Sequence, residues 1–243
     1  VAENVELTIN LNGKTITGTM HKSVGAVIKN NGTLTIKGGT ITSTADNGGS
    51  AIANNGTLVV EDATLNGAPN ADSSWPSYSV NNTGVMTVTN TTITSYHGAV
   101  CSYGDGAVAT LNNSEIDMNG IPGFTSHGIY TYDSGKVVVN GGTYVNKATD
   151  QNASGASVIN GAVEVNAGTF SGRIENYYGT PVLKGGTYSV KPNATYVADG
   201  YKALQKDVNT WVVVPATVDA IVSNTDELKA AVANETDPAL VTI

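Results

Sequence analysis

The stretch from Gly32 to Ile41 reads GTLTIKGGTI, and close copies recur as GTLVVEDATL from Gly56 and GVMTVTNTTI from Gly84. Weaker copies are AVATLNNSEI from Ala107, GKVVVNGGTY from Gly135, GAVEVNAGTF from Gly161 and GTPVLKGGTY from Gly179, and LTINLNGKTI from Leu7 is the earliest. Counted from zero at the first residue, position four holds Leu11, Ile36, Val60, Val88, Leu111, Val139, Val165 and Leu183, all apolar. Position two holds Ile9, Leu34, Leu58, Met86, Ala109, Val137, Val163 and Pro181. Position nine holds Ile16, Ile41, Leu65, Ile93, Ile116, Tyr144, Phe170 and Tyr188. Apolar residues two apart, with polar or small residues between them, make a strand with one buried face.

Successive units begin 25, 24, 28, 23, 28, 26 and 18 residues apart. Those intervals leave no room for a crossover helix in each, and they vary too much for a regular hairpin meander. One coil per interval fits, with like residues stacked over like and insertions leaving at corners. The expected fold is all-β: a right-handed parallel β-helix of about eight coils over residues 1–215, roughly 38 Å long at the strand spacing. Tyr144, Phe170 and Tyr188 are expected to stack in its core. Asn30, Asn54, Asn82, Asp105 and Asp133 each stand two residues before a unit and are expected to form a corner ladder of positive-φ residues. Asp105 and Asp133, one coil apart, are also the candidate ligands for calcium, a cation that takes oxygen ligands, with solvated corner residues as the alternative reading. No other cofactor is expected.

Composition agrees with a strand-and-turn protein. Of 243 residues only 13% are charged, while glycine reaches 28. The net charge is −8 and Arg173 is the single arginine, so no basic stripe is available to neutralise a phosphate backbone, which argues against nucleic acid as a partner. Cys101 is the one cysteine, which excludes an internal disulfide and reads as a buried, inert thiol. The sequence shows no run of eighteen apolar residues and no basic-plus-apolar leader before Val1, so no membrane span is expected. A start at Val is read as processing or a fragment.

In the phrases NLNGKTITG (Asn10 to Gly18), IKNNGTLTIKGGTIT (Ile28 to Thr42) and GGTYSVKPNATYVADGYKAL (Gly185 to Leu204), the chain resembles the pectin-lyase-like right-handed β-helix superfamily. It resembles more closely the non-catalytic solenoid modules of large bacterial surface and adhesin-like proteins. The superfamily's polygalacturonases carry an Asn-Thr-Asp phrase, an Asp-Asp pair, a Gly-His-Gly and an Arg-Ile-Lys, in that order. Here Asn224-Thr225-Asp226 comes last, Asp-Asp is missing, His97-Gly98 and His127-Gly128 lack the leading Gly, and Arg173-Ile174 runs into Glu175. A catalytic constellation is therefore not expected, nor a metal site from His21, His97 and His127, whose spacing suits none.

Recognition is expected on two long loops, Gly67 to Ser77 with Trp75, and Asp117 to Gly128 with Phe124 and His127. Tyr201 to Val214 reads as a terminal strand pair. After Pro215, residues 216–243 read as a linker, a helix from Asp226 to Asn234 capped by Thr225, and a final strand through Leu240, Val241 and Ile243. In the surface proteins that the chain resembles, such a helix and strand precede a β-helix and cap it. The chain itself opens almost directly in a coil with Val5, Leu7 and Ile9, whose backbone edge is expected to be open. Leu228, Val232, Leu240, Val241 and Ile243 of one copy would then cover Val5, Leu7 and Ile9 of the next, building a filament, unless the chain is a piece of a tandem array. The expected function is a non-enzymatic extracellular or cell-surface structural or adhesive protein. Its expected partners are copies of itself, neighbouring β-helix modules or glycans. The competing expectation is a carbohydrate-binding or carbohydrate-cleaving β-helix, such as a phage tail component or a polysaccharide lyase or hydrolase.

Overall fold

The computed structural model describes residues 1–19, 25–44, 49–68, 78–118, 126–147, 157–222 and 224–234. The chain winds into a parallel β-solenoid. Its first turn is β1 (Glu6–Asn10), β2 (Thr15–Gly18) and β3 (Ala26–Asn30), and its second is β4 (Thr33–Lys37), β5 (Thr40–Ser43) and β6 (Ser50–Asn54). Three more turns repeat the pattern: β7 (Thr57–Glu61), β8 (Thr64–Asn66) and β9 (Tyr78–Asn82); β10 (Val85–Thr89), β11 (Thr92–Ser95) and β12 (Gly98–Tyr103); β13 (Val108–Asn112), β14 (Ser114–Met118) and β15 (His127–Tyr132). Each strand pairs in parallel with its counterpart one turn away, so Leu34, Leu58, Met86 and Ala109 form one column and Ile41, Leu65, Ile93 and Ile116 another. The third strands stack as a separate sheet whose inward column is Ile28, Ile52, Val80, Val100 and Ile129. These columns meet in one continuous buried apolar core.

Eight coils were expected from the spacing, but among the described residues the regular three-strand turn occurs five times. The later turns run their first two strands together: β16 (Lys136–Asn146) is followed by β17 (Ser157–Asn160), and β18 (Val163–Ser171) by β19 (Ile174–Glu175). The turn after them is reduced to β20 (Val182–Leu183) and β21 (Thr187–Tyr188). The cause is visible at the first corner. In turns three to five a single left-handed residue, Asp62, Asn90 or Asn113 with φ of 53°, 48° and 45°, bends the chain sharply. In β16 the corner is Gly141 and Gly142, with φ of 117° and 103°, and the pairing with β18 shifts register there instead of breaking. The wider corner coincides with the change from Ile or Leu to an aromatic ring at position nine. Tyr144, Phe170 and Tyr188 stack at 4.9 and 5.1 Å with nearly parallel planes, fully buried. The Tyr144 hydroxyl donates to the Gly141 carbonyl at 2.8 Å and the Tyr188 hydroxyl to the Gly185 carbonyl at 2.7 Å, so neither phenol is buried without a partner.

The first unit is displaced from the sequence alignment. Leu7 pairs with Leu34 and Ile9 with Ile36, which puts the zero position at Val5 and leaves Leu11 beyond the strand. The extra length is taken up by a turn at Asn12 and Gly13, with φ of 50° and 74°, closed by the Lys14 amide donating to the Leu11 carbonyl at 2.8 Å. By Ile16, paired with Ile41, the register is restored.

The asparagine ladder is internal. Asn30 donates from Nδ2 to Asn54 Oδ1 at 2.7 Å, and Asn54 donates likewise to Asn82 Oδ1 at 2.7 Å. All three are fully buried on extended backbone, so the positive-φ expectation for them does not hold. Each also donates to the carbonyl two residues on, which turns the chain into the next first strand. Beyond Asn82 the ladder passes to Ser102 at 3.2 Å, and Thr131 is Ser102's partner one turn further. Asp105 and Asp133 lie outside it, in the turns after β12 and β15. A carboxylate could not supply the donor that each rung passes on.

At the C-terminal end the core is closed. A short 3-10 helix, Ala194–Tyr196, and the antiparallel pair β22 (Tyr201–Asp207) and β23 (Thr210–Pro215) cover the last coil. Thr187 and Tyr188 pair with Val212 and Trp211, and Tyr196 and Val213 are buried against the core. At the first turn, by contrast, Val5 and Leu7 are 46% and 42% exposed. Helix α1 (Thr225–Asn234) is capped by Asn224 rather than Thr225: Asn224 Oδ1 accepts from the amides of Asp226 and Glu227 at 3.1 and 2.9 Å. Among the described residues no helix is long and apolar enough to cross a membrane.

Candidate functional site: a tyrosine face on the third sheet

On either side of the inward column Val100, Ile129 and Ile159, the third strands turn residues outward. In early turns these are Lys29, Ala53 and Asn81. In β12 and β15 the same register holds Cys101 above Asn81, Tyr130 beside Cys101, and Tyr132 beside Tyr103. Parallel, in-register stacking places like side chains one strand spacing apart, and the Tyr103 and Tyr132 rings lie at 4.8 Å with planes 5° apart.

The face extends in both directions along its strands and across turns. Tyr78 opens β9 and lays its ring over Gly98, where any side chain would collide with it; its plane is parallel to that of Tyr130 at 5.8 Å. His127 opens β15 and stacks on Tyr130 at 4.8 Å. From the segment after β19, Tyr178 stands at 81° to Tyr130 and at 59° to Tyr132, with centroids 6.1 and 6.3 Å away. Tyr177 meets Tyr178 at 63° and 5.2 Å, and its amide donates to Asn160 Oδ1 at 2.9 Å, which ties the segment to β17.

Burial grades across the cluster. Tyr78, Cys101 and His127 are buried beneath it; Tyr103, Tyr130 and Tyr132 are half-buried; Tyr178 and Tyr177 are 53% and 78% exposed. Burial, and then neighbouring phenols and the Cys101 thiol, push Tyr130 and Tyr132 up to about 12. Tyr103 is raised by burial and then by the Cys101 thiol, and Cys101 is raised far above the ordinary thiol range by burial. His127 is driven the other way, to about 4, by burial and then by the like charge of His97. At neutral pH the phenols, the thiol and the imidazole of the face are therefore uncharged: rings to stack on, hydroxyls to donate and accept, and a covered, protonated thiol that is a poor nucleophile.

Of the loop residues expected to carry recognition, Trp75 and Phe124 lie outside the described residues. His127 is not a loop residue: it begins β15 and is buried within the tyrosine cluster, its Nδ1 2.9 Å from Ser157 Oγ. His97 is buried just before β12, and His21 lies outside the described residues. Asp105 and Asp133 occupy corners one turn apart at the ends of the strands that carry Tyr103 and Tyr132. Among the described residues no group of three or more His, Cys, Asp or Glu is placed to hold a metal ion. Of the residues expected to mediate assembly, Val5 and Leu7 are exposed, Ile9 is half-buried, Leu228 is partly exposed and Val232 is 42% exposed; Leu240, Val241 and Ile243 lie outside the described residues.

Sequence reading missed Tyr103, Tyr130, Tyr132, Tyr177 and Tyr178. The available signal was the period-two phrase Tyr130-Thr131-Tyr132 and the matching Cys101-Ser102-Tyr103 one interval earlier, both just before a unit. Comparison with family models, curated proteins and solved structures returned no match.

Proposed function

We propose that the chain is a non-enzymatic adhesive module of an extracellular or cell-surface protein, whose parallel β-helix presents a tyrosine face to carbohydrate. One observation carries this reading: five partly exposed tyrosines, Tyr103, Tyr130, Tyr132, Tyr177 and Tyr178, are gathered on one rigid sheet and its flank. Tyrosine offers an apolar ring to the C–H face of a sugar and a hydroxyl to its edge, at small cost in side-chain entropy. A solenoid sheet holds such rings in fixed positions, which reduces the ordering cost of binding. The resemblance to pectin-lyase-like β-helices and to surface-protein solenoids supports the same reading. A glycan array combined with reducing-sugar assays tests it. Binding is expected without release of reducing or unsaturated ends, and Tyr178→Ala is expected to weaken it about tenfold, as loss of an interface anchor does. Release of sugar ends would overturn the non-enzymatic reading, and an array without binders would overturn the adhesive one.

A second reading, head-to-tail assembly with copies of itself or with neighbouring β-helix modules, has its own observation. Val5 and Leu7 are exposed at the first turn, while α1 carries Leu228, Ala231 and Val232 on one partly exposed stripe. A contact between unlike surfaces of identical copies propagates rather than closes. Negative-stain images with and without residues 216–243 test it: rods that shorten on truncation are expected, and monomers in both samples would sink it.

A further inference from the structure

The tyrosine rings do not form one flat platform. Tyr103 and Tyr132 are parallel, but Tyr178 stands nearly perpendicular to Tyr130 and steeply inclined to Tyr132, and Tyr177 is inclined again to Tyr178. Ring faces turned in several directions present negative quadrupole potential from several sides, an arrangement that favours a cation over a neutral group. Charge around the rings has the same sense. Asp105 follows Tyr103, Asp133 follows Tyr132 directly, and Glu175 lies two residues before Tyr177. Neither β12 nor β15 carries a lysine or arginine. The nearby Arg173 sits 3.8 Å from Glu175, and the whole chain carries a net charge of −8. An acidic sugar meets repulsion here and an ammonium-bearing one attraction.

We propose that the tyrosine face selects glycans bearing free amino groups, protonated amino sugars, over neutral and acidic glycans, with the ammonium held against Tyr130, Tyr132 and Tyr178 and attracted by Asp133. The inference rests on the carbohydrate reading above and names its ligand class. It makes the aromatic faces, rather than the hydroxyls, the source of selectivity.

Calorimetric titration of the full chain tests it, with glucosamine oligomers and N-acetylglucosamine oligomers of equal length, and oligogalacturonate as the acidic arm, at a pH that protonates the amines. The glucosamine oligomer is expected to bind at least about fivefold more tightly than its acetylated counterpart. Added salt should narrow that advantage, as should Asp133→Asn. Tyr178→Phe, which keeps the ring, should retain the preference, and Tyr178→Leu should abolish it. Tyr178 is half exposed, so both variants are expected to unfold at the parent's temperature. Equal or tighter binding of the acetylated or acidic oligomer would overturn the inference and leave the carbohydrate reading standing. A glucosamine preference undiminished in Tyr178→Leu would reduce it to diffuse attraction by an acidic protein, which also overturns it. If none of the oligomers binds and the array is likewise empty, both readings fail together.

Discussion

The His127 imidazole lies flat on the Tyr130 ring of its own strand, 4.8 Å between centroids and 10° between planes, while its Nδ1 sits 2.9 Å from Ser157 Oγ of the next turn. A ring held this way has no room for the hydration that a charged imidazolium needs, so the folded protein resists protonating it.

That resistance makes stability depend on pH. The folded His127 titrates at about 4 and its ordinary value is 6.5, so between those two pH values the unfolded chain binds more protons. Stability contributed by the neutral ring is complete above about pH 6.5 and declines as pH falls toward 4, by about 3 kcal/mol in all at 1.36 kcal/mol per pH unit. Urea unfolding at a series of pH values should show this slope. His127→Gln should flatten it, leaving the smaller contribution of His97, whose value burial also lowers.

The internal and external asparagine ladders should differ sharply in their response to mutation. Asn54→Ala removes donors to the Gly56 carbonyl, Asn82 Oδ1 and the Val85 carbonyl and leaves buried acceptors unpaired, so a loss of about 3 kcal/mol or more is expected. Asn55, exposed, donates to Asn31 Oδ1 at 2.8 Å on the outside of the same corner; Asn55→Ala should cost about 0.5 kcal/mol or less. Equal effects of the two substitutions would contradict this account.

Phe170 is the centre of the buried aromatic stack. Phe170→Ala should lower stability by about 3–5 kcal/mol, because the cavity lies between two rings anchored by their own hydroxyls and cannot collapse freely. Calorimetric unfolding measures it, and Phe170→Tyr or Phe170→Leu should recover much of the loss.

Cys101 should be silent toward thiol reagents in the folded protein. It is 1% exposed, and burial holds its proton far above the ordinary thiol range, so little thiolate is available to react. Labelling should appear only with denaturant. Tyr130→Ala, which removes the ring in register beside it, should speed labelling without denaturant.

The repeat was legible because a solenoid forces it: parallel, in-register pairing puts residues of successive coils on top of one another, so the core columns through Ile36, Val60 and Val88 must be apolar at a constant place in each unit. The aromatic stack was legible for the same reason. The displaced first unit was not, since Leu7, Ile9 and Leu11 alternate without a break and only the turn at Asn12 and Gly13 decides which of them leave the strand. Nor was the burial of the Asn30, Asn54 and Asn82 ladder, because an asparagine at a corner satisfies a solvated position as readily as an internal one until its donors are placed.

Sequence alone determined the fold class, the core columns and the β-and-turn character of the chain, since these follow from local alternation and its recurrence. Tertiary structure alone decided that Tyr177 and Tyr178 join Tyr103, Tyr130 and Tyr132 on one face and that His127 lies beneath it. Those residues come from three different turns, and their proximity depends on strand register and on the path of the segment after β19, which no local pattern encodes.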